Sequence, residues 1–195
     1  MDVTVLLEPK IDLDRLAEVL DGLGHEGRVH ATRTWSRAQK KGLYEAAKGF
    51  RPIDLDFVVP AGAGPLVEVI HQGHNTVPLF HLFQKRFVKV SYDDAIVWGY
   101  NHQSMNAFTG PGYFAVTKGA GDHEGELVID YARTPKERPP GWPEIAPNDG
   151  LIPGIVYGGM TDYLRAISTH VSIGAAYKGN DARDQWFALV RKDPG

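Results

Sequence analysis

Cysteine is absent from the 195 residues of this sequence. A chain without cysteine can form no disulfide, no thiolate zinc site and no thiol nucleophile. Enzymes that need a cysteine nucleophile and scaffolds that need disulfides are therefore excluded. The absence also fits a reducing compartment, and we expect a cytoplasmic protein.

Long hydrophobic runs are missing as well. The first apolar run, Val3–Leu7, follows no basic segment, and it is too short for a signal-peptide core or a membrane span. We therefore expect no membrane association. The serines also stand in no G-x-S-x-G pattern, so no activated serine of that type is predicted.

Charge of one sign is not in excess, because 21 basic and 24 acidic residues leave a net charge of −3. The signs are interspersed, so no broad field attracts nucleic acid or acidic lipid. The densest basic stretch, Lys85-Arg86 with Lys89, is interrupted by Phe87 and Val88. We expect no nucleic-acid partner.

The residues that are present describe an ordinary folded chain. The composition is 43% hydrophobic and 23% charged, which is close to the average of globular proteins. The length suits one domain over residues 1–195. The spacing of its apolar residues divides that domain into a helical N-terminal part, 1–53, and a β-rich body, 54–195.

Helical spacing of apolar residues predicts two helices in the N-terminal part, after a short strand at Val3–Leu7. Asp12 is the predicted N-cap of the first helix, which stops at Gly22. Ser36 is the predicted cap of the second helix, and Gly49 is its stop.

Short β-like runs follow at regular intervals. For Tyr163–Ile167 a helix capped by Thr161 and ending near Ser168 is an alternative. The predicted strands are Leu55–Val59, Leu66–Ile70, Ile96–Tyr100, Tyr113–Thr117, Leu127–Tyr131, Ile155–Tyr157, Tyr163–Ile167, Val171–Tyr177 and Trp186–Arg191.

Two segments interrupt the β pattern. The phenylalanines of Leu79–Phe87 fit one face of a helix. The segment Arg133–Pro153 has six prolines in 21 residues, so it is no central strand. Its apolar residues Trp142 and Ile145 indicate a segment that wraps around the body.

These elements favour an α+β fold. Roughly eight runs with short connections predict an antiparallel β-barrel or half-barrel of the lipocalin-like type. The N-terminal helices would pack on this barrel or plug it. A barrel of about eight strands is wide enough to hold one small ligand, and a small molecule is therefore the expected partner.

One pattern points to a nucleotide, and its context argues against it. The stretch Gly22–Gly27 matches G-x-G-x-x-G, which needs a strand before it and a helix after it to place a pyrophosphate. Here a predicted helix precedes it, and Arg28–His30 opens no obvious helix. We interpret the glycines as a helix stop.

Three histidines, His71, His74 and His81, lie close together in the sequence. H-x-x-H on one helical turn can bind zinc or iron, including haem iron. Gly73 and Pro78 argue against a continuous helix, and ordinary loop histidines are the other interpretation. We predict no metal site and leave the cofactor open.

Several polar and aromatic residues at strand ends are candidates for a site. Asp130 ends a strand, and if it points inward it needs a cation such as Lys85, Arg86 or Arg165. The candidate acid–base groups are His71, His74, His102 and Asp130. The candidate ligand-binding residues are Lys85, Arg86, Tyr100, Asn101, Tyr113, Tyr131 and Arg165.

The C-terminal half carries four short patterns in order between residues 85 and 191. They are Lys85-Arg86-Phe87, Asp162 with Arg165, Val171 with Gly174, and Phe187 to Arg191. This order resembles the GXWXG-associated, lipocalin-like barrel domains of an uncharacterised bacterial family. The resemblance implies a barrel and supplies no activity.

Three functions stay open at this point. The first is binding of a small, partly apolar ligand in a barrel, because aromatic residues are dense on the β-runs. The second is a non-thiol enzyme with His, Asp and Arg groups at the barrel mouth. The third is a protein–protein interaction module that uses the proline-rich segment or the N-terminal helices.

Overall fold

Eight antiparallel strands form a closed barrel in the computed structural model, which describes residues 3–76, 81–103, 110–148, 154 and 156–192. Each strand pairs with the next, and the last pairs with the first. The predicted antiparallel barrel is therefore confirmed. The strands are β1 Val69–Asn75, β2 Leu82–Val90, β3 Asp93–His102, β4 Tyr113–Lys118, β5 Leu127–Asp130, β6 Met160–Ala166, β7 Val171–Lys178 and β8 Asp181–Arg191.

Four α-helices precede the barrel: α1 Leu13–Asp21, α2 His25–Thr34, α3 Arg37–Ala46 and α4 Leu55–Val58. The Asp12 side chain accepts a hydrogen bond from the Arg15 backbone, so the predicted N-cap of α1 is confirmed. Ser36 caps α3 in a reciprocal capping box with Gln39. Gly22 is the C-cap of α1, as expected.

The barrel wall is covered on two sides of its outer surface. Helices α1–α3 bury their apolar faces against β7 and β8, where Leu16, Leu20 and Leu43 are fully buried. The proline-rich segment covers β2–β4 with Trp142, as predicted for the part described, 133–148. Both coverings remove apolar strand residues from water, which stabilises the barrel.

Helix α4 covers one end of the barrel. Its residues Leu55 and Val58 belong to the same apolar cluster as the inward-facing strand residues. The Val58 carbonyl accepts a hydrogen bond from Nε2 of His71 at 2.9 Å, and the Phe57 carbonyl accepts one from Arg191. The barrel is therefore plugged at this end.

Three predictions of local structure were wrong. The run Leu55–Val59 forms α4, because the Asp54 side chain accepts the Asp56 N–H and starts a helical turn. The segment Leu79–Phe87 is largely strand β2 over the residues described. Its phenylalanines mislead because a four-residue spacing shares a face in a strand as well as in a helix. Val3–Leu6 is a 3₁₀-helix, not a strand.

Other predicted strand boundaries also differ from those in the structure. The first strand begins at Val69 and not at Leu66, whose φ is 58°. The expected run at 155–157 is not a strand in its described residues, where Val156 is helical. The sheet pairs Met160–Ala166 on both sides, which removes the helical alternative for this segment.

The glycine pattern at Gly22–Gly27 lies between two helices. A helix does begin at His25, so the expectation that none follows was wrong. Helix α1 nevertheless stands where a nucleotide loop needs a strand. The interpretation as a helix stop therefore holds.

Candidate functional site

A cavity of about 370 Å³ opens at the barrel end opposite α4. Its walls are mostly aromatic and apolar, and its base is polar. The wall residues include Phe83, Tyr157, Met160, Ala176, Trp186 and Phe187. The base is formed by Lys85, Asn101, Tyr131 and Asp162, which we call the Lys85 cluster.

Strand alternation brings the Lys85 cluster together. Side chains two residues apart share a face of a strand, so Lys85 points inward with Phe83 and Phe87. Lys85 lies opposite Asn101 in the pairing of β2 with β3. Asp162 comes from β6, and Tyr131 follows the end of β5.

The Lys85 ammonium has three hydrogen-bond acceptors. Its Nζ donates to Oδ1 of Asn101 at 3.0 Å, to Oδ2 of Asp162 at 3.1 Å and to the Tyr131 hydroxyl. The Tyr131 hydroxyl in turn donates to Oδ2 of Asp162 at 2.9 Å. Asn101 Nδ2 donates to the same hydroxyl at 3.3 Å. The four side chains therefore form one connected network.

Burial shifts the pKa values of two members of this network, Lys85 and Tyr131. Desolvation lowers the pKa of Lys85, while the Asp162 carboxylate partly opposes the shift. Desolvation and the Asp162 charge raise the pKa of Tyr131 well above its usual value, with the Asn101 hydrogen bond opposing them. Tyr131 therefore stays a neutral hydroxyl at neutral pH.

Aromatic rings surround the Lys85 ammonium. The distances from Nζ to the ring centroids are 4.8 Å for Phe114, 5.0 Å for Tyr131, 5.3 Å for Phe187 and 5.8 Å for Phe83. Ring faces within about 6 Å attract a cation. The rings therefore offset part of the desolvation of Lys85.

Asp162 presents one carboxylate oxygen to the cavity. The hydrogen bonds from Lys85 and Tyr131 both end on Oδ2. Oδ1 accepts none from the part of the chain described, and Asp162 lines the cavity. A bound molecule can therefore reach a hydrogen-bond acceptor beside the amine.

Three of the predicted ligand-binding residues, Lys85, Asn101 and Tyr131, meet at the cavity base. The other four lie on the outer surface of the barrel wall. Arg86 pairs with Glu68 at 3.3 Å. Tyr100 and Tyr113 pack with Trp142 under the proline-rich segment, and Arg165 binds Glu126 at 2.8 Å.

The four candidate acid–base residues do not converge. His71 lies inside the barrel against α4, whereas His74, three residues further along the same strand, faces the opposite side. His102 is exposed. Asp130 lies on the outer side, where it accepts the Ala132 N–H at 2.8 Å.

Asp162 and Arg165 do not form a local pair, because an odd spacing places them on opposite faces of β6. Asp162 is the member of the Lys85 cluster that was not among the candidate site residues predicted from the sequence. In the sequence, Asp162 stands two residues before the apolar Leu164, so the two side chains share one face of a strand. A carboxylate on an otherwise apolar face is the signal that points to Asp162.

His71 and His74 are held in their neutral form at neutral pH. Burial lowers the pKa of His71 to about 3, and burial with nearby cations lowers that of His74 to about 4. The rings of His74 and His81 are 6.0 Å apart, and His71 faces the other side of β1. Within the described ranges, no three His, Asp or Glu side chains gather as a metal site.

Comparisons of the chain with protein-family models, curated proteins and solved structures found no match. No helix in the described part of the chain is long and apolar enough to cross a lipid bilayer.

Proposed function

We propose that this protein binds a small, partly apolar molecule inside the barrel, with a polar group of the ligand at the Lys85 cluster. The observation that carries the proposal is a polar network at the base of an aromatic-walled cavity. Apolar walls with a few convergent polar groups are the usual composition of a ligand pocket.

The size of the cavity supports one ligand. Pockets for small molecules range over about 300–1,000 Å³, and this one measures about 370 Å³. Tyr157 stacks on Tyr131 with ring centroids 5.3 Å apart and an interplanar angle of 19°. These flat walls favour a planar or aromatic ligand body.

Stability alone does not account for the Lys85–Asp162 pair. The side chains are 2% and 7% exposed, and a well-packed apolar pair of similar volume is often as stable as a buried ion pair. Recognition of a polar ligand group gives the pair a role, because Asp162 Oδ1 faces the cavity.

The experiment is a binding titration that uses Trp186, a residue of the cavity wall, as the fluorescent reporter. Small aromatic alcohols such as cinnamyl alcohol are expected to change its emission saturably. Ala176→Phe places a ring in the cavity and should weaken binding at least tenfold. The matched control Ala182→Phe changes an exposed residue outside the cavity and should leave the affinity unchanged. Equal binding by both variants would contradict the proposal.

A non-thiol enzyme is the second candidate, favoured by one observation. An amine and a carboxylate lie 3.1 Å apart at the base of the cavity, which is the arrangement that proton transfer needs. In such an enzyme, Lys85 and Asp162 would be the acid–base groups. They replace the four residues predicted from the sequence, which do not converge: His71, His74, His102 and Asp130.

The interaction module has less support, because the surfaces on which it depends are already covered. Helices α1–α3 bury their apolar faces on the barrel, and Trp142 is 5% exposed. Cytoplasmic location, bacterial origin and relation to the GXWXG-associated domains stay predictions.

A further inference from the structure

We propose that Lys85 condenses with an aldehyde in the cavity, giving a protonated Schiff base whose counter-ion is Asp162. The inference rests on the proposed ligand-binding function and names the chemical class of the ligand. It extends that function from reversible contact to a reversible covalent bond.

The position of the amine supports this chemistry. Lys85 Nζ lies at the base of a cavity that is open to small molecules, with its side chain 2% exposed. Lysines removed from water in apolar pockets are the ones that form Schiff bases, because burial favours the neutral, nucleophilic amine. Asp162 stands at 3.1 Å to take the proton.

The reaction balances without an oxidant or a reductant. Lys85 passes one proton to Asp162, and the free amine attacks the aldehyde carbon while one of the protons on its nitrogen moves to the carbonyl oxygen, which gives a neutral carbinolamine. Asp162 then returns its proton to the carbinolamine hydroxyl, which leaves as water while the carbon–nitrogen double bond forms. The sum is ammonium plus aldehyde giving iminium plus water.

The site suits the product as well as the resting amine. The ammonium and the iminium carry the same positive charge, so Asp162 and the surrounding rings stabilise both. The Tyr131 hydroxyl accepts from Lys85 Nζ and donates to Asp162 Oδ2, so it holds the amine beside the carboxylate. No charge has to enter or leave the barrel.

The walls restrict the aldehyde. Phe83, Phe187 and the stacked pair Tyr131–Tyr157 offer flat apolar contact on the path to Nζ. The cavity of about 370 Å³ holds one ring with a short conjugated arm. We therefore infer an aromatic or conjugated aldehyde.

Reductive trapping tests the inference. The full chain is incubated with trans-cinnamaldehyde and sodium cyanoborohydride, and the adduct is located by intact mass and peptide mapping. We expect one adduct per chain, on Lys85, with competition by cinnamyl alcohol. Lys178 is the internal control, since it lines the same cavity at its exposed mouth.

Variants separate the roles of the two groups. Lys85→Met should abolish the adduct, and Lys178→Met should retain it. Asp162→Asn keeps the shape of the side chain but loses the proton carrier, so trapping should slow at least tenfold. If Lys85→Met does not fold, the peptide map of the unaltered chain still shows whether the adduct is on Lys85.

The outcomes distinguish the two proposals. Saturable binding of cinnamyl alcohol without an adduct on Lys85 would overturn the Schiff base and leave the ligand-binding function standing. An adduct spread equally over surface lysines would also overturn it. Absence of both binding and adduct would overturn both proposals.

Discussion

Replacing Asp162 by leucine removes the carboxylate that faces the Lys85 ammonium at 3.1 Å. Breaking a buried ion pair typically costs about 3–5 kcal/mol, because the remaining charge stays buried without its partner. Here Lys85 keeps its hydrogen bonds to Asn101 and Tyr131 and its aromatic neighbours. We therefore expect the lower limit, a loss of about 3 kcal/mol in the free energy of unfolding at pH 7.

The double variant Lys85→Met/Asp162→Leu tests the cause of that loss. It removes both charges and keeps side chains of similar length beside the aromatic rings, while Asn101 and Tyr131 keep their mutual hydrogen bond. Its stability should lie within about 1 kcal/mol of the unaltered protein, or above it. Since Asp162→Leu alone costs about 3 kcal/mol and the double variant at most about 1 kcal/mol, the coupling energy is at least about 2 kcal/mol, and it is larger by whatever Lys85→Met costs alone.

The loss should also depend on pH. Asp162 raises the pKa of Lys85 against desolvation, so Asp162→Leu lowers that pKa further. A lysine whose folded pKa is depressed binds its proton more weakly when folded, so stability rises with pH between the folded pKa and about 10.5. The difference from the unaltered protein should therefore shrink with rising pH between the folded pKa of Lys85 in the variant and its higher folded pKa in the unaltered protein.

Urea unfolding followed by tryptophan fluorescence measures these quantities. Asp130→Leu is the matched control, since Asp130 lies on the neighbouring strand and on the outer side of the barrel. It should cost at most about 1 kcal/mol. The outcome that contradicts this prediction is a loss below about 1 kcal/mol for Asp162→Leu that simply adds to the loss for Lys85→Met. It would show that Lys85 and Asp162 do not form a coupled, buried ion pair.

Three further predictions concern stability. Burial holds the pKa of His71 at about 3, so its contribution is lost as pH falls from 6.5 towards 3, and the cost of His71→Gln should disappear in urea unfolding at pH 4. Burial lowers the pKa of Lys40 to about 8, so Lys40→Met should stabilise by about 1–3 kcal/mol at pH 7 and by less at pH 10. A Cβ on Gly99 would stand 2.5 Å from a backbone oxygen of the neighbouring strand, so Gly99→Ala should cost about 2 kcal/mol in urea unfolding.

Each of these variants has a matched control. His30 is exposed, so His30→Gln should show no change in acid sensitivity. Lys41→Met removes an exposed lysine from the same helix and should not stabilise at pH 7. Nothing lies within 4 Å of a Cβ at Gly62, an exposed turn residue, so Gly62→Ala should be nearly neutral. A Lys40→Met loss at pH 7 would show that the ammonium is stabilising where it lies.

The barrel could be predicted because its strands are short apolar runs at regular intervals, a pattern that depends only on neighbouring residues. Asp12 and Ser36 were also identified correctly, since capping is decided by a few neighbouring residues. The four-residue helix α4 could not, because a short apolar run fits a strand as well as a helix. Its conformation depends on the Asp54 cap and on packing inside the barrel.

The candidate site was predictable only in part. Lys85, Asn101 and Tyr131 were identified as candidate ligand-binding residues, but so were Tyr100 and Tyr113, which lie on the outer surface. The inward or outward side is set by strand register. Asp162 is 77 residues from Lys85 in the sequence, so their contact exists only once the barrel closes.

The plug at α4 has a consequence for kinetics. A molecule at the Lys85 cluster enters and leaves through the same end of the barrel, because Leu55 and Val58 cover the other. A second molecule cannot push the first one through. Exchange is therefore sequential, and the rate at which a competitor displaces a bound ligand should level off at the ligand's own dissociation rate, however concentrated the competitor is.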